Sequence, residues 1–161
     1  MTLIPQVRKA TTKPLIAAGG IASGEAMLAA MALGAEGIQA GTMFALTEES
    51  SASEEFKKKC TELAEGDTML CLKKIAPTRL IKNALYTKLA EAEDKGATAD
   101  ELREILGRAA SKRGIFEGDM ESGELEIGQI ASAIKTIKPV SEVMKELISG
   151  FEKAKERVAL L

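Results

Sequence analysis

Two glycine-centred stretches carry most of the chemistry open to this chain. Gly19-Gly20 closes the short apolar run Leu15-Ile16-Ala17-Ala18, and Gly41-Thr42 closes a second, Gly37-Ile38-Gln39-Ala40. A Gly-Gly pair after a buried strand lets the backbone take positive φ, or approach a ligand, without a Cβ clash. Its N–H groups, with a following helix N-terminus, favour a phosphate. Gly41-Thr42 adds two more N–H groups and a hydroxyl. Glycines that only make tight turns have the same spacing, so phosphate binding and plain turn geometry both stand at this point.

The remaining residues exclude more than they offer. The 161-residue chain contains no His. Ser-His-Asp and Cys-His catalysis, and any His-ligated metal, are therefore closed to it. Cys60 and Cys71 form no CxxC pair and read as small buried hydrophobes. No residue is assigned a catalytic role and no metal site is expected. A formal net charge of −2 gives no electrostatic case for nucleic acid or acidic membranes. Aromatics make up 3% of the chain and Trp is absent, which argues against base-stacking platforms. No apolar run reaches the roughly 18 residues of a membrane span. The start, MTLIPQVRKATTK, has too short an apolar region for a signal peptide. The expectation is a cytoplasmic protein without membrane or nucleic-acid partners.

The elements that would position the glycines follow from local pattern. With 45% hydrophobic and 29% charged residues, the chain has the balance of a folded protein, and its length predicts one domain with room for an appended subdomain. Residues 3–10 predict the end of a helix. Leu15–Ala18 predicts a buried parallel strand, and Gly37–Gly41 a second. Between them Ser23 reads as an N-cap, Glu25 sits in the first turn, and Ala26–Leu33 forms a helix ended by Gly34. This helix is apolar nearly all round, so it should be covered on more than one side. Strand, helix, strand within about 30 residues is a βαβ unit. Ser51 or Ser53 caps a helix over Glu54–Ala64, with Phe56, Cys60, Leu63 and Ala64 inward. The run Glu54-Glu55 and Lys57-Lys58-Lys59 reads as its solvated face.

Beyond Gly66 the pattern changes. Thr68–Leu72 predicts a strand or extended segment, and Pro77-Thr78-Arg79 precedes a helix over Leu80–Glu93. Thr98-Ala99-Asp100-Glu101 is a capping box opening a helix with Leu102, Ile105, Leu106 and Ala109 inside. Residues 111–124 read as a loop or lid, and Ile127–Ile137 as a helix candidate. Pro139 begins the last helix, whose stripe is Val140, Val143, Met144, Leu147, Ile148, Phe151 and Ala154. The Met residues are core filler.

The stretch AAGGIASGEAMLAAMALGAEGIQAGTMF resembles the FMN-phosphate segment of the nitronate monooxygenase family, formerly 2-nitropropane dioxygenases. Its close relatives are the FMN-dependent enoyl-acyl-carrier-protein reductases. The resemblance continues through Glu48-Glu49-Ser50, the Arg79–Asn83 segment, Gly128-Gln129-Ile130-Ala131 and Ile137-Lys138-Pro139. It covers essentially the whole chain. It implies an α/β fold: a partial TIM (β/α)8 barrel, the last two βα units, plus a C-terminal mostly helical subdomain. The domains expected are 1–66, partial FMN-binding barrel; 67–127, helical insertion or lid; and 128–161, C-terminal helices packing on the barrel.

By the same resemblance, Ala18, Gly19 and Gly20 meet the FMN phosphate through backbone N–H groups. Gln39, Gly41 and Thr42 complete the cradle. Gln129 lies near the flavin ring, although an ordinary helix polar residue is the alternative. Arg79 lines the site mouth or makes a surface ion pair. Met43 stands where the family often has Arg. The family's catalytic His belongs to a glycine-rich loop before this segment, so the chain corresponds to the C-terminal half. The function implied is an FMN-dependent oxidoreductase chain of nitronate monooxygenase type, incomplete alone. The alternatives are an enoyl-acyl-carrier-protein reductase fragment or a non-catalytic phosphate-binding or oligomerisation remnant. The partners implied are FMN, a small-molecule nitronate or enoyl thioester, and a second copy or a complementary N-terminal half.

Overall fold

The computed structural model describes residues 2–160. Met1 and Leu161, the outermost residues of the expected domain ranges, lie outside the described residues. Contacts divide the chain into one unit of residues 2–49 with 138–160 and a second of residues 50–137. The expected boundaries at 66 and 127 both fall inside the second unit.

In the first unit, α1 (Leu3–Ala10) leads into β1 (Ile16–Ala18), α2 (Gly24–Ala32) and β2 (Gly37–Gln39). The strands pair in parallel, Ile16 with Gly37, Ala17 with Ile38 and Ala18 with Gln39. Side chains alternate across a strand. Ala17 and Ile38 therefore face a small core with Ile21, Ala30, Ala35, Ile4 and Ala26. Ile16, Ala18 and Gln39 lie on the opposite, exposed face. Arg8 holds the unit's entry: its guanidinium donates to the Thr11 and Lys13 carbonyls and lies 3.3 Å from Glu36 Oε1. Glu36 Oε2 accepts from the Leu15 N–H at 3.2 Å.

As expected of a helix apolar all round, α2 is covered by β2 on one side and by the last helix, α7 (Val140–Ala159), on another. Between β2 and α7 in this unit lies a single turn of helix, α3 (Thr42–Ala45). The Pro139 ring has no acceptor to cap α7, and Glu49 does so from far back in the sequence. Its carboxylate accepts from the Val140 N–H at 2.9 and 3.1 Å. An acidic group there also opposes the positive end of the helix dipole. Leu147 and Ala154 of the α7 stripe are buried, but Met144 and Ile148 are 37% and 53% exposed. The stripe is wider than the surface that α2 covers.

The second unit opens with α4 (Glu54–Thr61), capped by Ser53 Oγ, which accepts from the Phe56 N–H at 3.2 Å. Phe56, Cys60 and Leu63 are buried as expected, whereas Ala64 is exposed. Lys57 departs from the solvated-face reading, with 2% exposure. Its aliphatic stem packs inward, and Glu54 Oε1, 3.3 Å away, is among the partners of its ammonium.

A hairpin follows, β3 (Thr68–Cys71) antiparallel to β4 (Thr78–Ile81). The helix expected over Leu80–Glu93 starts only at Ala84. Leu80 and Ile81 are both buried, so this strand is covered on both faces. Its second edge is also used: the Ile81 N–H donates to Leu125 O and the Ile127 N–H to Arg79 O. The same pairing removes Ile127 from the helix expected over Ile127–Ile137. Only a 3₁₀ turn, Gln129–Ala133, forms there. α5 (Ala84–Asp94) is capped by Asn83, and α6 (Ala99–Leu106) opens with the capping box of Thr98 and Glu101. Leu72, Leu80, Leu85, Leu89, Leu102 and Ala110 form the core here. Ile105 and Ala109, expected inside, are exposed, and Ala109 has a φ of 53°.

Residues 111–124 form a pinned structure, with a π-turn at Lys112–Phe116 and a tight turn around Asp119. Asn83 Nδ2 donates to Met120 O at 3.0 Å and to Gly123 O at 2.9 Å. The buried Glu124 carboxylate accepts from Ser111 Oγ at 2.8 Å.

Candidate functional site

The parallel register of β1 and β2 places six of the seven candidate residues at one end of the two-stranded sheet. Ala18 and Gln39 are paired, so the turns that follow them leave the sheet side by side. Gly19 and Gly20 have φ of +102° and +70°, where a side chain would be strained. A Cβ built on Gly19, Gly20 or Gly41 would meet nothing within 4 Å. The space on the Cβ side of these glycines is therefore open, and all three residues are exposed. Thr42 is half-buried and begins α3, with Gly41 O accepting from the Phe44 and Ala45 N–H groups.

The N-terminus of α2 contributes less than the sequence implied. Ser23 Oγ already accepts from the Ala26 N–H at 3.2 Å. The Glu25 carboxylate is held below its usual pKa by its own backbone N–H and by the Ser23 hydroxyl. That end of the helix is supplied with its own anion. Any anion held at the strand ends would rely on the glycine turns instead. An apolar cavity of about 340 Å³ adjoins them, lined by residues of α1, β1, the Gly19–Gly20 turn and α2.

Gln129 begins the 3₁₀ turn of the second unit and is exposed. Arg79 belongs to that unit too. It donates to Thr68 O at 3.1 Å and to Thr68 Oγ1 at 3.3 Å, bracing β3 against β4, and neither contact is an ion pair. No cluster of three or more His, Cys, Asp or Glu able to hold a metal occurs among the described residues. No described helix is long and apolar enough to cross a membrane.

Both thiols are free and buried. Burial pushes Cys60 up to about 12. Burial, then the hydrogen bond and negative charge of Glu93, push Cys71 up to about 11. Neither is a nucleophile at neutral pH. The fold retains protons that the unfolded chain releases once pH passes the ordinary thiol pKa. Stability should therefore be untouched by the thiols at neutral pH and fall as pH climbs toward 12. Urea midpoints of the parent and Cys60→Ala, measured up that range, should converge as pH rises. Parallel curves would refute it.

Against known proteins, the family model "Nitronate monooxygenase" matches residues 1–150. A probable nitronate monooxygenase of Staphylococcus saprophyticus is 35% identical over 118 residues, which are 71% of this chain and 33% of that protein. One from Staphylococcus aureus strain JH9 is 31% identical over 153 residues, 92% of this chain and 42% of that protein. The solved structure of FabK from Thermotoga maritima superposes with a TM-score of 0.89 at 34% identity, covering 98% of this chain and 50% of that one. Nitroalkane oxidase from Streptomyces ansochromogenes superposes at 0.76 with 30% identity, covering 99% and 45%. The chain thus spans half or less of the length of these relatives. With the match running from β1 through the turns after β2 and on into α7, the chain belongs to the nitronate monooxygenase family.

Proposed function

We propose that this chain supplies the phosphate-holding part of an FMN site in an oxidoreductase of nitronate-oxidising type. The observation that carries the reading is the pair of adjacent strand ends. There Gly19 and Gly20 hold positive φ, are exposed and have open space at their Cβ positions, and Gly41 opens the neighbouring turn. Backbone amides so presented suit the oxygens of a phosphate. Gln39 and Thr42 bring an amide and a hydroxyl to the same end of the sheet. FMN, when bound, supplies the redox chemistry, and the protein supplies binding and orientation. Met43 brings no charge where the family often has Arg, so phosphate recognition is proposed to rest on the backbone and these two side chains. Gln129 is proposed to lie toward the flavin ring. The two strands are proposed to be the last two of a (β/α)8 barrel, residues 1–66 contributing to that barrel, 67–127 forming an inserted subdomain and 128–161 returning to the barrel. A cytoplasmic location is part of the same reading.

A second reading, reduction of an enoyl thioester, rests on the resemblance to the enoyl-acyl-carrier-protein reductases. Oxygen consumption with a nitronate, against oxidation of a nicotinamide with an enoyl thioester, separates the two in the completed enzyme. The completing component is a second copy or a complementary half. For the cradle itself, flavin fluorescence titrations should show FMN binding weakened about 100-fold in Gly20→Asp. The change sets a carboxylate against the phosphate and strains a positive-φ position. Equal affinity in the two proteins would refute the reading, as would no binding at high micromolar FMN with the complementary half supplied.

A further inference from the structure

We infer that the second unit carries a ligand site of its own, a cavity between α5, α6 and the Arg113 and Glu121 turns that takes a small carboxylic acid with a compact apolar body. The site goes beyond the reading of the strand ends and shares no residue with them.

The cavity holds about 340 Å³, at the small end of the range that bound small molecules occupy. Its apolar wall is Leu85 of α5 with Ile105 and Leu106 of α6. Leu85 is buried and Leu106 half-buried, while Ile105, expected to pack inside, is 37% exposed and free to meet a ligand. Lys88, one turn beyond Leu85, and Arg113, from the π-turn, bring two positive charges to the same cavity. Glu121 brings the one negative charge among the described lining residues. An apolar wall beside two cations suits a ligand with an apolar body and an anionic head.

Hydrogen bonds fix both sides of the cavity. The Leu85 N–H donates to Glu121 O at 3.1 Å, and Asn83 Nδ2 holds the Met120 and Gly123 carbonyls. The first turn of α5 and the turn around Glu121 therefore move together. Opposite them, Arg113 Nη1 donates to Arg108 O, which ties the π-turn to the chain leaving α6. That bond takes one of five guanidinium N–H donors and is the only one the group makes among the described residues. The Lys88 ammonium has no hydrogen-bond or ion-pair partner among them. Asp119 lies near enough to feel the Arg113 charge, but its oxygens accept from the Glu121 and Ser122 N–H groups and from the Ser122 hydroxyl. Spare cationic donors thus remain at the cavity, and a carboxylate is the acceptor that a guanidinium fits best.

Amide NMR titration of the full 161-residue chain tests the site. The probe is cyclohexanecarboxylate, compared with cyclohexanecarboxamide, which lacks the charge, and acetate, which lacks the apolar body. Saturable shifts centred on the Leu85, Ile105 and Arg113 amides are expected, with the probe at least about 10-fold tighter than either comparison compound. Lys88→Gln should weaken binding about fivefold, and Glu121→Gln should tighten it about threefold, as befits partly solvated charges. Both side chains are exposed, so circular dichroism and urea midpoints should stay at the parent values. Lys145→Gln, on α7 in the first unit, should leave the affinity unchanged. Equal affinity for the carboxamide, shifts centred elsewhere, no saturation at low millimolar probe, or a Glu121→Gln protein that binds no tighter than the parent would each overturn the proposal.

Discussion

A Gly24→Ala protein is expected to lose about 3 kcal/mol of stability or more, the upper range for overpacking a core. A Cβ at Gly24 would sit 1.9 Å from Phe151 N and 2.1 Å from Gly150 C, both backbone atoms of α7. No rotamer change relieves a clash with backbone, so the two helices must separate. Their contact covers one side of α2, and that packing loosens with the separation. The partner glycine gives the internal control. A Cβ at Gly150 would meet Gly24 N at 3.4 Å and Gly24 Cα at 3.5 Å, ordinary contact distances. Gly150→Ala also removes a glycine from a helix interior, worth about 1 kcal/mol. It should be neutral or stabilising. Urea denaturation of the three proteins reads both effects, and equal losses at the two positions would sink the argument.

The second large effect is expected at Gly123→Ala, again about 3 kcal/mol. The added Cβ would lie 2.3 Å from Gly114 Cα and 2.4 Å from Asp119 O. Gly114 is equally confined, its own Cβ position being 2.6 Å from Glu124 O. The two glycines let the π-turn and the following turn touch backbone to backbone. Displacing Gly123 also draws its carbonyl from Asn83 Nδ2, 2.9 Å away, and Asn83 is the N-cap of α5. Gly66→Ala serves as the contrast. Its φ of +85° strains a side chain, but nothing lies within 4 Å. Its cost should stay near 1–2 kcal/mol, the left-handed penalty alone. A Gly123→Ala midpoint no lower than that of Gly66→Ala would contradict the packing account.

Where local chemistry decides structure, the sequence was readable. Ser23, Ser53 and Thr98 each cap the helix expected of them, because a cap depends on residues three positions away. The β1–α2–β2 unit followed from apolar runs bounded by glycine. It placed Ala18, Gly19, Gly20, Gln39, Gly41 and Thr42 at one end of the sheet. The misreadings share a cause in distant partners. Leu80 and Ile81 look helical beside Ala84 and Leu85 until Leu125 and Ile127 supply the second edge of β4. Ile127 is lost to a helix for the same reason. Lys57 is charged in sequence and buried in the fold beside Phe56 and Cys60, a burial that its own neighbours in sequence do not signal. For Gln129 and Arg79 only the family resemblance, and no local chemistry, points to a ligand. The structure places them on a 3₁₀ turn and in a hairpin, where adjacent residues say little about a ligand.

The pairing of Thr47 with Lys138, with the Glu48 N–H donating to Lys138 O at 3.1 Å, has a kinetic consequence. It fastens α7 to a point 91 residues back, measured from Glu49 to Val140. Loop closure over such a span is entropically costly and raises contact order, which slows folding. During synthesis, residues 50–137 are complete before α7 has left the ribosome, and domains fold as units in the order they emerge. The strand ends that carry the glycine turns are made before residues 50–137 and belong to the unit that closes after them. Until α7 arrives, the flank of α2 around Gly24 stays exposed, so this surface waits in the nascent chain through the synthesis of the whole second unit.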